Sequence, residues 1–350
     1  MQLRSILCRS VIAGLCCLYL PSCNDLPQKK THSSFATLTN ALPAYTHNFA
    51  SVPFEQTAQE IADLIQQGEF SKVEDILNTH IEQKTSTRGG FYYPILVIDN
   101  AIDEILPSMD DKTLMDLGRW VQSSPESALP YVFRAKYFYE AAWRVRGEKY
   151  INETPEENRN GYRELMEYYL DDLNSAFELN PKSPIVLEEL LDAGRDVGSP
   201  REEFDSLFDQ LMEFDPYFAH AYVAKSNYLL PQWRGSKKEL LEFIDDSMAK
   251  APRGTALPLL IPFTHDDLGN YGGNKRTRYL KQPEVWADIE FAYTRLIEDF
   301  PKGGLYPAWY AETAADIGKY DIAREYIQVA LEREPNHPKV LKIKSYIDGL

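Results

Sequence analysis

Residues 215–252, DPYFAHAYVAKSNYLLPQWRGSKKELLEFIDDSMAKAP, hold two helices joined by a tight connector. Ala221, Ala224 and Tyr228 recur at helical spacing in the first. Pro231 ends it, having no N–H to donate and clashing with the preceding turn. Ser236 opens the second helix with Glu239 three residues on, the capping-box relation. Behind them Leu240, Leu241, Ile244 and Met248 make one apolar stripe. Between the helices lie Gln232, Trp233, Arg234 and Gly235, a flat aromatic anchor beside a hinge residue. A helix pair bounded by Asp-Pro and Ala-Pro is the unit of an α-helical repeat, because one hairpin buries its stripe only against the next.

The same unit recurs. Near the C-terminus, Ala311, Gly318, Tyr320, Ala323, Ile327, Ala330 and Pro335 stand at offsets 0, 7, 9, 12, 16, 19 and 24. That spacing resembles the tetratricopeptide repeat, in which small residues let two antiparallel helices approach and a proline stops the second. Eroded copies are marked by Gly68-Glu69-Phe70 with Val73 and Leu77, by Ala176 to Pro181, and by the Asp215-Pro216 and Ala251-Pro252 boundaries. Residues 91–106 are apolar enough to be buried, 114–121 carry Trp120, and 130–146 carry Phe133, Tyr137, Ala141 and Trp143. Ser183 and Ser199 each precede a proline, the arrangement of an N-cap followed by N1. No stretch alternates with period two long enough to argue a strand. The expected fold is all-α, a tetratricopeptide-like helical-repeat (α-α solenoid) domain of about fifteen helices. The expected divisions are 53–303 for the main helical domain and 304–350 for a terminal repeat packed on it.

Residues 1–22 read as a leader: Arg4 and Arg9, then an apolar run over 11–20 too short for a permanent membrane span. It ends Leu20-Pro21-Ser22-Cys23, which resembles the lipobox of bacterial lipoproteins and implies lipidation at Cys23. Cys8, Cys16 and Cys17 would leave with the leader, and a single remaining cysteine can form no internal disulfide. Asn24 in place of Asp points to the outer membrane, so the expected location is the bacterial envelope, lipid-anchored and facing the periplasm. Residues 23–52 read as lipid attachment and tether, reaching on the order of 30 Å.

The formal net charge of −16 repels nucleic acid and anionic lipid, so neither is an expected partner. Two polar stretches interrupt the helical pattern, 147–161 and 264–281, and both read as inserted loops. The second is rich in Gly and Asn and then basic, which in an acidic chain makes it a place to look for binding.

The stretches Leu229 to Ser236 (LLPQWRGS) and Ala142 to Gly147 (AWRVRG), with the Gly68 hairpin, resemble a bacterial family known only as a domain of unknown function. Its members carry a leucine-proline-arginine-tryptophan-glycine-glycine-serine-like signature. Here Gln232 replaces the basic residue before Trp233, and Arg234 replaces the first glycine. The resemblance spans 54–303 and implies a helical fold with Pro231, Gly235, Ser236 and Gly147 as structural signature positions. It implies no activity.

Catalytic and metal constellations do not assemble from the sequence. The histidines at 32, 47, 80, 220, 265 and 337 include no i, i+4 pair, and no cysteine pair is available for zinc. His265-Asp266-Asp267 reads as solvated polar residues, and Gly269 to Lys275 lacks the ending of a phosphate loop. No Gly-x-Ser-x-Gly elbow occurs. The acid pairs Asp171-Asp172, Glu188-Glu189 and Asp245-Asp246 read as solvated helix faces. No cofactor and no metal is expected. Trp143, Arg146, Trp233 and Arg234 are the candidate binding residues, since Trp and Arg anchor interfaces. Two of them also have a structural alternative: Trp233 filling the corner between helices, Arg146 capping carbonyls before Gly147. The expected function is a non-catalytic scaffold whose groove holds an envelope protein or peptide. A glycan-capturing lipoprotein similar to SusD and an α/α-barrel hydrolase using an acid pair are the alternatives.

Overall fold

The computed structural model describes residues 42–105, 111–147, 153–270 and 276–350. The leader, Cys23 and most of the tether lie outside these residues. Among the described residues the fold is all-α: sixteen α-helices, one short 3-10 turn, and two strands of two residues each. The chain forms two compact units. One comprises Ala50–Thr87 and Tyr92–Ala224; the other holds residues up to Phe49, Arg88–Phe91 and Lys225–Leu350.

The first unit begins with α1 (Phe54–Gln67) and α2 (Phe70–Glu82). Gly68 joins them at φ +76°, where its N–H and that of Glu69 take the last carbonyls of α1 at Ile65 and Leu64. Ala58, Ile61, Ala62 and Ile65 are buried on α1, and Val73 and Leu77 on α2. The apolar α3 (Tyr93–Ile105) packs on α1, where the Tyr93 hydroxyl and Thr57 Oγ1 hydrogen-bond at 2.7 Å. In α4 (Asp111–Ser123), Trp120 is fully buried; it stacks on Phe70 at 5.7 Å and donates its indole N–H to Glu74 at 2.8 Å.

The longest pair follows, α5 (Leu129–Arg146) and α6 (Glu156–Leu179), clamped by the Arg134 guanidinium on both oxygens of Asp172 at 2.7 and 2.8 Å. The polar stretch 147–161 is thus shorter as a connector than the sequence suggests: residues from Glu156 on are already helical, and 148–152 lie outside the described residues. Ser183 caps α7 (Pro184–Val197) by accepting from the Val186 N–H, as expected. Ser199 does not cap α8 (Arg201–Phe214), whose N-cap is Pro200. The reason is the end of α7: after Gly198 at φ +72°, the Ser199 N–H is drawn back to the Gly194 carbonyl at 2.8 Å.

The unit boundary falls inside α9 (Ala219–Tyr228). In the second unit α10 (Lys237–Lys250) is capped by Ser236, which accepts from the Glu239 N–H at 3.2 Å. The segment 264–281 is not a free loop. Thr264 to Asn270 complete α11 (Leu260–Asn270), Arg276–Leu280 form the short α12, and 271–275 lie outside the described residues. Then come α13 (Pro283–Asp299), α14 (Leu305–Asp316), α15 (Tyr320–Arg333) and α16 (Pro338–Asp348). Buried Arg295 of α13 donates to the Ala251 and Pro252 carbonyls at 2.7 and 2.8 Å, satisfying acceptors left by the end of α10.

The terminal pair α14–α15 follows the spacing read from sequence. Gly318 turns at φ +81°, and Ala311, Ala323 and Ala330 have no exposed surface. α16 packs on both helices. Because Ala323 has no room to grow, Ala323→Leu is expected to destabilise by about 1–3 kcal/mol, lowering the midpoint of thermal unfolding by several degrees. Gln328→Leu, at an exposed position in the middle of the same helix, should leave it nearly unchanged.

Candidate functional site

Helix α7 is buried on nearly every side: Ile185, Val186, Leu187, Leu190 and Leu191 surround Glu188 and Glu189, which are themselves buried. The expectation that this acid pair is a solvated face is therefore wrong. Asp172 is likewise buried, against Arg134, whereas Asp171, Asp245 and Asp246 are exposed as expected. Burial of carboxylates demands compensation, and it comes from Lys136 of α5. Its ammonium bonds Asp99 of α3 at 2.7 Å and the Glu189 carboxylate. Burial opposes the Lys136 charge, yet Asp99, Glu189 and Glu188 outweigh it and hold its pKa well above the ordinary lysine value. Burial pushes Glu189 up to about 7 against the pull of Lys136, and raises Glu188 well above the usual carboxylate range, helped by Asp192 and Glu189. Glu188 Oε2 is buried with no hydrogen-bond partner.

About two turns on, Arg195 pairs with Asp196 at 2.7 Å and Asp192 at 3.3 Å, and Asp196 accepts from the Tyr139 hydroxyl at 2.9 Å. On α9 of the same unit, His220 is lowered to about 4 by burial, against the raising effect of Asp99 and with a lowering one from Lys136. It is neutral at physiological pH.

On α5, Lys136, Tyr139 and Glu140, Trp143 and Arg146 follow at helical spacing along one face. The Trp143 ring meets Tyr139 and Tyr162 edge-on at 6.2 and 5.5 Å, and the Arg146 guanidinium lies over it at 4.8 Å. The indole N–H of Trp143 is buried without an acceptor. Arg146 also donates to the Gly147 carbonyl at 3.1 Å, and Gly147 closes the helix at φ +74°. Two of the four candidate binding residues thus join the charged cluster.

The other two lie in the second unit. Trp233 does not fill the corner between α9 and α10; 43% of its surface is exposed. The Arg234 backbone N–H donates to the Tyr228 carbonyl at 3.1 Å, and its side chain is exposed. Half-buried Pro231 sits in the turn that ends α9. Gly235 is required by space: a Cβ there would stand 2.2 Å from the Leu229 carbonyl oxygen. His265 and its neighbours are not solvated as expected. His265 is buried, 3.0 Å from the Tyr279 hydroxyl and 3.3 Å from Asp288, and Asp266 binds Arg276. Burial, with Asp266 beside it, pushes Asp267 up to about 6. No group of three or more metal-ligating side chains converges among the described residues.

The class defined by this geometry is an all-α protein of packed helix pairs with a buried charged cluster across α3, α5 and α7. The family profile described as "Domain of unknown function (DUF4034)" matches residues 57–204, from α1 into α8. It contains the cluster, Trp143, Arg146 and Gly147, and stops before Leu229 to Ser236. No curated protein matches the chain. Among solved structures, "Structure of Naa15/Naa10 bound to HypK-THB" aligns over 91% of this chain and 54% of that chain, with 10% identity and a TM-score of 0.33. The chain spans about half the length of that one, and so low a score carries no argument.

Because Glu188 keeps its proton to higher pH folded than unfolded, it favours folding below the ordinary glutamate range and loses that contribution as pH rises through its raised pKa. Lys136, Asp99, Glu189 and Asp192 face it. Glu188→Gln is expected to unfold at the wild-type temperature below the ordinary glutamate range and at a progressively higher temperature than wild type as pH rises above it. Identical pH slopes would remove Glu188 from the linkage.

Proposed function

We propose that this protein is a non-catalytic binding or assembly module of the bacterial envelope, held by a lipid on Cys23, that takes a protein or peptide on the helix pairs of the 57–204 region. The carrying observation is Trp143. Its ring is half-buried and wedged between Tyr139 and Tyr162, yet its N–H has no acceptor. An unmade buried hydrogen bond costs about 1–3 kcal/mol, which a partner's carbonyl would recover. Arg146 covers a face of the indole, which disfavours a stacked sugar and favours a hydrogen-bonding peptide. The acid pair supports binding over hydrolysis for a similar reason. Lys136 engages Glu189, so the two carboxylates of the pair are not both free to act as acid and base on a substrate.

Cross-linking in intact cells, read by mass spectrometry, tests the reading. Trp143→Phe keeps an aromatic ring and removes the N–H; recovery of a reproducible partner is expected to fall about tenfold, the effect of roughly 1.4 kcal/mol, with the unfolding temperature unchanged. A partner list no different from a bead control would overturn the proposal. In the same cells, Cys23→Ala should move the protein out of the membrane fraction.

A further inference from the structure

We infer that the carboxylate cluster of α3, α5 and α7 binds an organic cation, an ammonium or guanidinium group presented by a basic peptide. The inference rests on the binding reading above and names the chemistry of its partner.

The charges in the cluster do not balance. Asp99 and Asp103 on α3, Glu140 on α5, and Glu188, Glu189, Asp192 and Asp196 on α7 supply seven carboxyl groups against the three cations Lys136, Arg144 and Arg195. Lys136 is shared between Asp99 and Glu189, and Arg195 is committed to Asp192 and Asp196. Glu188 is left over. It is 7% exposed, its Oε2 has no hydrogen-bond partner, and its nearest charges are Asp192, Glu189, Lys136 and Asp99. Burial and neighbouring acids also raise Asp103 and Glu140, with Lys136 and Arg144 pulling the other way. Such a group either takes up a proton or waits for a cation, and the two compete for the same oxygen.

The rim is open where the floor is not: the side chains of Asp99 and Asp192 are 41% and 36% exposed. A hard metal ion would need several oxygens converging on one point, and no such group occurs among the described residues. Lys136 already fills the place between Asp99 and Glu189. A group with several N–H donors suits the remaining geometry, since it can bond Glu188 while its charge is shared with the rim.

A peptide is favoured over a free amine by the second unmet group on the same face. Trp143, with its unaccepted N–H, stands seven residues beyond Lys136 on α5, about 10 Å along the helix at 1.5 Å per residue. Three residues of extended peptide cover that distance. A backbone carbonyl at Trp143 and a basic side chain among the carboxylates around Lys136, with which Glu188 interacts, are then compatible in one ligand.

Calorimetric titration of the full-length protein in 0.15 M salt provides the test. The probes are an arginine-containing nonapeptide, the same peptide with citrulline for arginine, and spermine. The arginine peptide should bind, the citrulline peptide at least tenfold more weakly, and affinity should rise with pH above the ordinary glutamate range as the competing proton leaves. Glu188→Gln should weaken the arginine peptide at least tenfold while unfolding at or above the wild-type temperature. Asp245→Asn with Asp246→Asn, the exposed pair on α10, should change nothing. Unaltered affinity in Glu188→Gln, or an equal loss in the α10 control, would overturn the site. Spermine binding as tightly as the peptide would overturn the peptide source and assign the cation site to free polyamines. Loss of the cellular partner in Trp143→Phe but not in Glu188→Gln would sink this inference alone.

Discussion

None of the sixteen helices can bury its apolar face without a neighbour, and that constraint organises each unit. Connectors as short as Gly68-Glu69 and Ile317 to Lys319 return the chain at once, laying α15 along α14, while α1 packs most extensively on α3. Small residues set how closely the two approach: Ala58 and Ala62 on α1, Ala311 and Ala323 in the α14–α15 pair, all essentially without exposed surface. The remaining faces are covered by a third helix, α3 on α1 and α16 on α14 and α15.

In the first unit α7 is buried on nearly every side, and there packing traps charge. Replacing a solvated carboxylate by a buried one is unfavourable unless a cation is brought with it. Lys136 and Arg195 perform that duty for Asp99, Glu189, Asp192 and Asp196, and Arg134 performs it for Asp172. Glu188 Oε2 is left without a hydrogen-bond partner. Glu188 and Trp143, whose indole N–H is likewise unmet, both lie inside the 57–204 match.

Much of the helical framework was legible because its signals are local. Gly68 and Gly318 announce left-handed turns, Ser183 and Ser236 announce caps, and the stripe Leu240, Ile244, Met248 announces a buried face. Ser199 misled because two local rules compete there: the end of α7 takes its backbone before the start of α8 can use its side chain. Residues 264–281 misled in part because their glycines and asparagines resemble a loop, although 264–270 lie in α11 and Arg276–Leu280 form α12. The buried acid pair did carry a sequence signal. Residues 184–191, PIVLEELL, have no polar stripe apart from Glu188 and Glu189, the pattern of a helix enclosed on all sides.

By itself, then, the sequence determined where helices start, where they stop, and which face of each seeks a neighbour, since caps, prolines and 3.6-residue periodicity act within a few residues. Tertiary structure alone decided that Glu189 meets Lys136 and Asp99, that Trp143 lies between Tyr139 and Tyr162, and that Trp233 remains exposed. Those outcomes depend on which helices become neighbours. The Coulomb and desolvation energies that make Glu188 conspicuous exist only once three helices distant in sequence have excluded the water between them.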